Sequence, residues 1–152
     1  MPTNHSVPNN RIVILLAPGF EETAVVYCME HMREAGLPVS LVGLSAGILK
    51  GLHGLAVRPD YSLDQLSPET VHQGVIMPGG PACVSALLTD PRVHRLLDVT
   101  IQNSGFVAVL ATAVPLFTQS VSQLTTAAPH FIRQGEMGIT EFTDYLIDFA
   151  LA

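Results

Sequence analysis

Short, continuous apolar runs recur along the chain, and segments with helical periodicity separate them. Runs of this length without polar alternation are typical of strands that are buried on both faces of a parallel sheet. The pattern predicts strands at residues 11–17, 39–44, 74–77 and 105–111, and a further short one at 124–128. The run at 105–111 is the most apolar, so we expect it at the centre of the sheet.

The segments between these runs carry apolar residues at spacings of three and four, with acidic or capping residues at their starts. This pattern predicts helices at residues 23–35, 84–88, 90–104, 113–120 and 140–151. Asp90 followed by Pro91 is a typical N-cap with a first-turn proline. The glycine-rich segment 45–61 predicts a β-hairpin, and 62–66 a single helical turn. Strands that alternate with helices indicate a doubly wound α/β fold with a mostly parallel open sheet.

Composition limits the classes of function. The chain of 152 residues is 48% hydrophobic and only 13% charged, which predicts one domain at residues 11–152 after a flexible tail at 1–10. A net charge of −6, with Lys50 the single lysine, provides no basic face for nucleic acid. No apolar run is long enough to span a membrane. The scarcity of charge favours a homo-oligomer, and two cysteines without a disulfide or zinc pattern favour the cytoplasm.

Ligands of open α/β sheets bind beyond the carboxyl ends of the strands. Three predicted turns lie there, and together they form the candidate ligand pocket: Gly19, Glu21, Glu22, Gly79, Gly80, Ala111 and Thr112. Either glutamate is more commonly a helix N-terminal charge than a catalytic group, and a Gly-Gly turn is more commonly only a turn. Thr112 is a nucleophile only beside a base; a capping role is more common for such a threonine.

The run Arg11-Ile-Val-Ile-Leu-Leu-Ala-Pro-Gly-Phe-Glu-Glu22, followed by Met77-Pro-Gly-Gly80 and the strand 105–111, resembles the ThiJ/PfpI superfamily. The resemblance implies a flavodoxin-like three-layer sandwich, a homodimer and no cofactor. It also implies glyoxalase, deglycase, hydratase, peptidase or chaperone activity. In active members a cysteine stands at the sharp turn after the apolar strand, with a glutamate in the first turn and often a histidine nearby.

This sequence departs from that pattern at each position. The cysteine falls on Ala111 or Thr112, depending on whether the match is anchored at Gly105 or at Pro115, and the glutamate falls near Ala24. The histidine is missing or displaced to His130. The part between this point and the last helix is shorter than in the enzymes. An alanine at the turn is also what an inactivating substitution in an active enzyme would leave.

These departures favour a non-catalytic domain that binds a small molecule, senses or regulates as a homo-oligomer, because the family chemistry needs a thiolate and a base. The alternative is a glyoxalase-, deglycase- or hydrolase-type enzyme that uses Cys83, Thr112 or His130. A helix dipole would lower the pKa of Cys83, although a buried small side chain is the commoner case there. A third hypothesis is that the chain is a purely structural subunit. The six histidines show no metal-binding spacing, so no metal site is expected.

Overall fold

The computed structural model describes residues 9–120 and 130–152. Its strands are β1 (Ile12–Leu16), β2 (Val39–Gly43), β3 (Leu49–Lys50), β4 (Ala56–Val57), β5 (Tyr61–Ser62), β6 (Gly74–Met77), β7 (Phe106–Val109) and β8 (Phe131–Arg133). Its helices are α1 (Glu22–Glu34), α2 (Pro81–Leu88), α3 (Pro91–Gln102), α4 (Val114–Ser120) and α5 (Ile139–Leu151). The predicted strands at 11–17, 39–44, 74–77 and 105–111 and the five predicted helices are therefore confirmed, within a few residues at their ends.

Six strands form one parallel sheet in the order β5-β2-β1-β6-β7-β8. Every residue of β1 and β6 is buried, as expected for strands covered on both faces. The prediction that 105–111 lies at the centre is wrong, because β7 lies between β6 and β8, one strand from the edge. All four residues of β7 are nevertheless buried, as in a central strand, and α3 packs against this strand.

Helices flank the sheet. From β1 the chain crosses through α1 to β2 in one direction, and from β6 it crosses through α2 and α3 to β7 in the other. Because such crossovers are right-handed, the two connections place their helices on opposite faces. On one face α1 packs against α5, where the Cys28 thiol lies 3.4 Å from the Thr143 hydroxyl. On the other, α2 packs against α3 and α4. The α/β sandwich predicted from the sequence is confirmed.

The smaller predicted features have mixed outcomes. The hairpin is confirmed as the antiparallel pair β3–β4, and a short 3-10 turn follows β5 as expected. Asp90 caps α3 by accepting a hydrogen bond from the Arg92 N–H at 2.9 Å. The predicted strand at 124–128 lies outside the described residues, and β8 was not predicted. Most of the predicted tail is also outside them, while the Asn10 N–H donates to the Val71 carbonyl at 2.8 Å.

The reversal of direction between β1 and β6 determines where a site can form. Neighbouring strands whose connections leave in opposite directions open a crevice at their carboxyl ends. The loops after β1, β6 and β7 meet there, as the sequence predicts. None of the helices in the described ranges is long and apolar enough to cross a bilayer.

Candidate functional site

The loops after β1 and β6 touch through their backbones. The Glu21 N–H donates to the Gly79 carbonyl at 3.1 Å, and Gly80 adopts a φ of +104° against the carbonyl of Gly19. A Cβ atom at Gly80 would overlap that oxygen, and one at Gly79 would overlap the side chains of Glu21 and Thr112. The glycine pair is therefore required for this close approach and is more than a chain reversal.

Thr112 joins the third loop to the other two. Its Oγ1 lies 2.5 Å from Oε1 of Glu21 and accepts the Gly80 N–H at 3.2 Å. The hydroxyl consequently donates to the carboxylate and accepts from the backbone. Thr112 is solvent-exposed and Glu21 is half-buried, so both can be reached from the crevice. Glu21 thus does more than neutralise the amino end of α1.

The neighbouring Glu22 points elsewhere. Its carboxylate accepts the backbone N–H groups of His53 at 2.6 Å and Leu55 at 3.2 Å, and the His53 ring lies 3.2 Å away. Burial opposes its ionisation, but the hydrogen bonds from the backbone and from His53 outweigh burial, so the pKa of Glu22 lies below its usual value. Glu22 therefore holds the β3–β4 loop against α1, a partner that the sequence analysis did not anticipate.

Ala111 contributes its backbone rather than its side chain. Its N–H donates to Oε1 of Gln134 at 2.8 Å, and Nε2 of Gln134 donates to the Met137 carbonyl at 2.9 Å. Gln134 is only 9% exposed, and its own N–H donates to the Val109 carbonyl at 3.0 Å. Gln134 was not predicted as a site residue. A polar side chain one position after the Phe131-Ile132-Arg133 segment carries no distinctive sequence signal.

Cys83 does not reach the crevice as a reactive thiol. It sits in the first turn of α2, as predicted, but its side chain is fully buried. Burial raises the pKa of the Cys83 thiol to about 12, and a hydrogen bond with the Ala17 backbone only partly offsets the increase. The expectation of a lowered pKa is wrong because loss of hydration outweighs the helix dipole. Burial also raises the pKa of Cys28.

His130 lies at the amino ends of the strands, opposite the three loops of the candidate site. Its carbonyl accepts the Val107 N–H at the amino end of β7, whereas Thr112 follows the carboxyl end of that strand. The two therefore lie at opposite ends of β7. The His130 ring packs edge-on against Phe149, with 6.5 Å between centroids. The candidate residue His130 is thus placed away from Thr112, because β8 begins after the histidine instead of before it.

The family model for the DJ-1/PfpI family matches residues 10–145, which include all three loops and Gln134. The chain belongs to the DJ-1/PfpI family. The match also covers the sheet and the first half of α5. Residues 9–120 and 130–152 of this DJ-1/PfpI chain contain no group of three His, Cys, Asp or Glu side chains that could hold a metal ion.

Several relatives and solved structures are similar to this DJ-1/PfpI chain. The deglycase TK1284 of Thermococcus kodakarensis is 31% identical over 72 residues, which are 47% of this chain and 43% of the relative. Protein dj-1beta of Drosophila melanogaster is 29% identical over 102 residues, 66% of this chain and 54% of the relative. The aligned parts thus span about half the length of these curated relatives.

The structural similarity is more extensive. A cysteine-to-alanine mutant of the DJ-1 superfamily protein STM1931 from Salmonella typhimurium has a TM-score of 0.79 at 18% identity, covering 93% of this chain and 90% of the other. Oxidized DJ-1 of Toxoplasma gondii has a TM-score of 0.77 at 14% identity, covering 92% and 90%. At these identities the likeness establishes the fold alone.

Proposed function

We propose that this DJ-1/PfpI domain is a non-catalytic module that binds a small polar molecule in the crevice formed by the loops after β1, β6 and β7. The observation that carries the proposal is the hydroxyl of Thr112, which is engaged by both Glu21 and Gly80. An alcohol bound in this way is a poor nucleophile, since a carboxylate is too weak a base to generate an alkoxide near neutral pH.

The cysteines support the same proposal. A thiol with a pKa of about 12 is a thiolate in about one molecule in 10⁵ at pH 7, so Cys83 cannot supply the nucleophile that thiol chemistry needs. Cys28 is buried between α1 and α5, away from the crevice. Two buried, unpaired thiols also fit our proposal that the protein works in the reducing cytoplasm.

The crevice suggests which ligands to test. Oε1 of Glu21 is engaged by Thr112, whereas Oε2 accepts no hydrogen bond from any residue in the described parts of the chain. A carboxylate oxygen at a half-buried position favours hydroxyl, ammonium or amide donors over anions. We therefore expect small hydroxy and amino compounds to bind there in preference to carboxylates and phosphates.

The two adjacent glutamates offer a matched pair of variants. Glycerol and ethanolamine would be titrated into the protein while the amide resonances of Gly79, Gly80 and Thr112 are followed by NMR. Glu21→Gln should weaken binding at least fivefold, because it removes the charge beside the ligand. Glu22→Gln, which alters the hairpin contact instead, should leave binding within twofold. Equal effects of the two substitutions, or no saturable shifts with either probe, would contradict the proposal.

One observation favours the enzymatic alternative. The Glu21–Thr112 distance of 2.5 Å has the geometry of a base and a nucleophile. If this pair turns over an α-oxoaldehyde or an ester, Thr112→Val should abolish the activity and Thr112→Ser should retain it. Under our proposal the wild type has no activity for either substitution to change.

Self-association is the second part of the proposal. The β3–β4 hairpin exposes three aliphatic side chains, Ile48 by 57%, Leu52 by 51% and Leu55 by 46%, in a chain with few charges. Exposed aliphatic clusters of this kind commonly mark contact surfaces. Light scattering at micromolar concentration should give the mass of a dimer or larger oligomer, and Leu52→Glu should shift it towards the monomer. A wild-type monomer would rule out the homo-oligomer.

A further inference from the structure

A cavity lies between α3 and the segment that connects β5 to β6, and its lining includes none of the residues of the candidate site. It measures about 220 Å³. Its walls are largely apolar, formed by Leu63, Leu66, Pro68, Leu96 and Val99. Pockets for drug-sized ligands span roughly 300–1,000 Å³, so this cavity fits a smaller molecule.

Charge is concentrated at the mouth of this cavity. Arg92, Arg95 and Asp64 line it and are all exposed, so the two arginines outnumber the single carboxylate among the lining side chains. Arg92 is already held by Asp90, with Nη2 to Oδ2 at 2.8 Å. Arg95 forms no ion pair with any described residue and is therefore the cation available to a ligand. This local excess of positive charge stands out in a chain whose net charge is −6.

The inner end of the cavity has an unused polar group. His72 lines the cavity and is only 2% exposed, and its buried Nδ1 has no hydrogen-bond partner in the described part of the chain. Burial lowers the pKa of His72, so the imidazole is neutral at pH 7. Buried polar atoms are normally paired, and an unpaired one in a cavity wall calls for an explanation. A polar group of a bound molecule is one such explanation.

We propose that this cavity binds a small hydroxy carboxylate. Its apolar body packs against Leu63 and Leu96, its hydroxyl pairs with Nδ1 of His72 at the inner end, and its carboxylate pairs with Arg95. An arginine guanidinium matches a carboxylate geometrically and offers two parallel N–H donors. Leu63 and Leu96 are buried, while Arg95 is exposed, so the apolar body lies inside the cavity and the charge stays at the mouth. This selectivity is opposite to that of the crevice, where Glu21 favours donors and disfavours anions.

The experiment compares isosteric acids and amides. 4-Hydroxybenzoate and 4-hydroxybenzamide, and benzoate and benzamide as the matched pair without the hydroxyl, would be titrated in separate NMR experiments. We expect the acids to produce saturable shifts in α3 and in residues 63–72, with dissociation constants of about a millimolar, and the amides to bind more weakly. Equal affinity of acid and amide, or no saturable shift with either acid, would overturn the proposal. Saturable shifts centred on Gly79 and Thr112 instead would also overturn it.

Two variants test the assignment of the charge and of the cavity. Arg95→Gln should weaken benzoate binding about three- to fivefold, the range expected for an exposed ion pair, and leave benzamide unchanged. Arg133→Gln removes an exposed arginine of β8 outside the cavity and should change neither. Val99→Phe fills the cavity while preserving the charge, and should abolish binding of both. Equal losses of benzoate affinity in Arg95→Gln and Arg133→Gln would show that the overall charge of the protein, and not Arg95, determines binding. That result would contradict the proposal.

Discussion

Gly80 and Gly47 form a matched pair that tests the contact between the loops after β1 and β6. Their φ angles are +104° and +101°, in the positive-φ region that strains an alanine at either position. A Cβ at Gly47 has no atom within 4 Å, whereas a Cβ at Gly80 would overlap the backbone oxygen of Gly19. The difference in unfolding free energy between the two alanine variants therefore reports mainly the contact of Gly80 with Gly19.

The expected loss of stability is the sum of the backbone strain and the overlap with Gly19. Left-handed backbone costs an alanine about 1–2 kcal/mol, which is the whole expected effect of Gly47→Ala. Overlap with a rigid neighbour adds about 1–3 kcal/mol, so Gly80→Ala should cost about 2–5 kcal/mol. At roughly 2–4 °C per kcal/mol for a domain of this size, Gly80→Ala should lower the Tm by roughly 4–20 °C and Gly47→Ala by roughly 2–8 °C.

Urea denaturation and calorimetry of both variants measure these values. Glu21 and Thr112 approach each other across Gly79, so Gly80→Ala should also shift the amide resonances of both residues, whereas Gly47→Ala should not. Equal destabilisation by the two substitutions would refute the close approach of the loops, and with it the geometry of the site.

Three further predictions concern the remaining buried contacts. In the native state neither Cys83 nor Cys28 should react with a thiol reagent faster than the protein opens; one rapidly labelled thiol at pH 7 would contradict the raised pKa values. Because the pKa of Glu22 is lower in the folded state, its contribution to stability is complete above about pH 4.5 and is lost as the pH falls through its folded pKa. The difference in unfolding free energy between wild type and Glu22→Gln should therefore shrink on acidification below that value, and a difference independent of pH would refute this. Gln134→Leu leaves the Ala111 N–H unpaired and should cost about 1–2 kcal/mol in urea denaturation, whereas a cost near zero would show that the contact is dispensable.

The fold could be predicted from the sequence because its signals are local. Four apolar runs too short for helices, each followed by a turn, indicate buried parallel strands, and Asp90-Pro91 marks the start of α3. The order of strands in the sheet is not a local property. The most apolar run was expected at the centre, but helix cover buries β7 equally well at a position beside the edge.

The site was predicted in outline, and its errors have physical causes. The three loops meet as expected because parallel strands present their carboxyl ends at one edge. Cys83 was correctly placed in the first turn of α2, but the sequence does not show that its side chain points into the core. His130 was misplaced because a strand was predicted before it, whereas β8 follows it. The Gln134 contact spans 23 positions of sequence and has no local signature.

The most direct test of the central claim is turnover of methylglyoxal by the purified protein, assayed beside an active family member and a buffer blank. Our account predicts consumption equal to the blank, before and after thiol alkylation, and no difference between wild type and Thr112→Val. Consumption above the blank that disappears on alkylation or in Thr112→Val would contradict it, and would identify the reacting group as a cysteine thiol or the Thr112 hydroxyl.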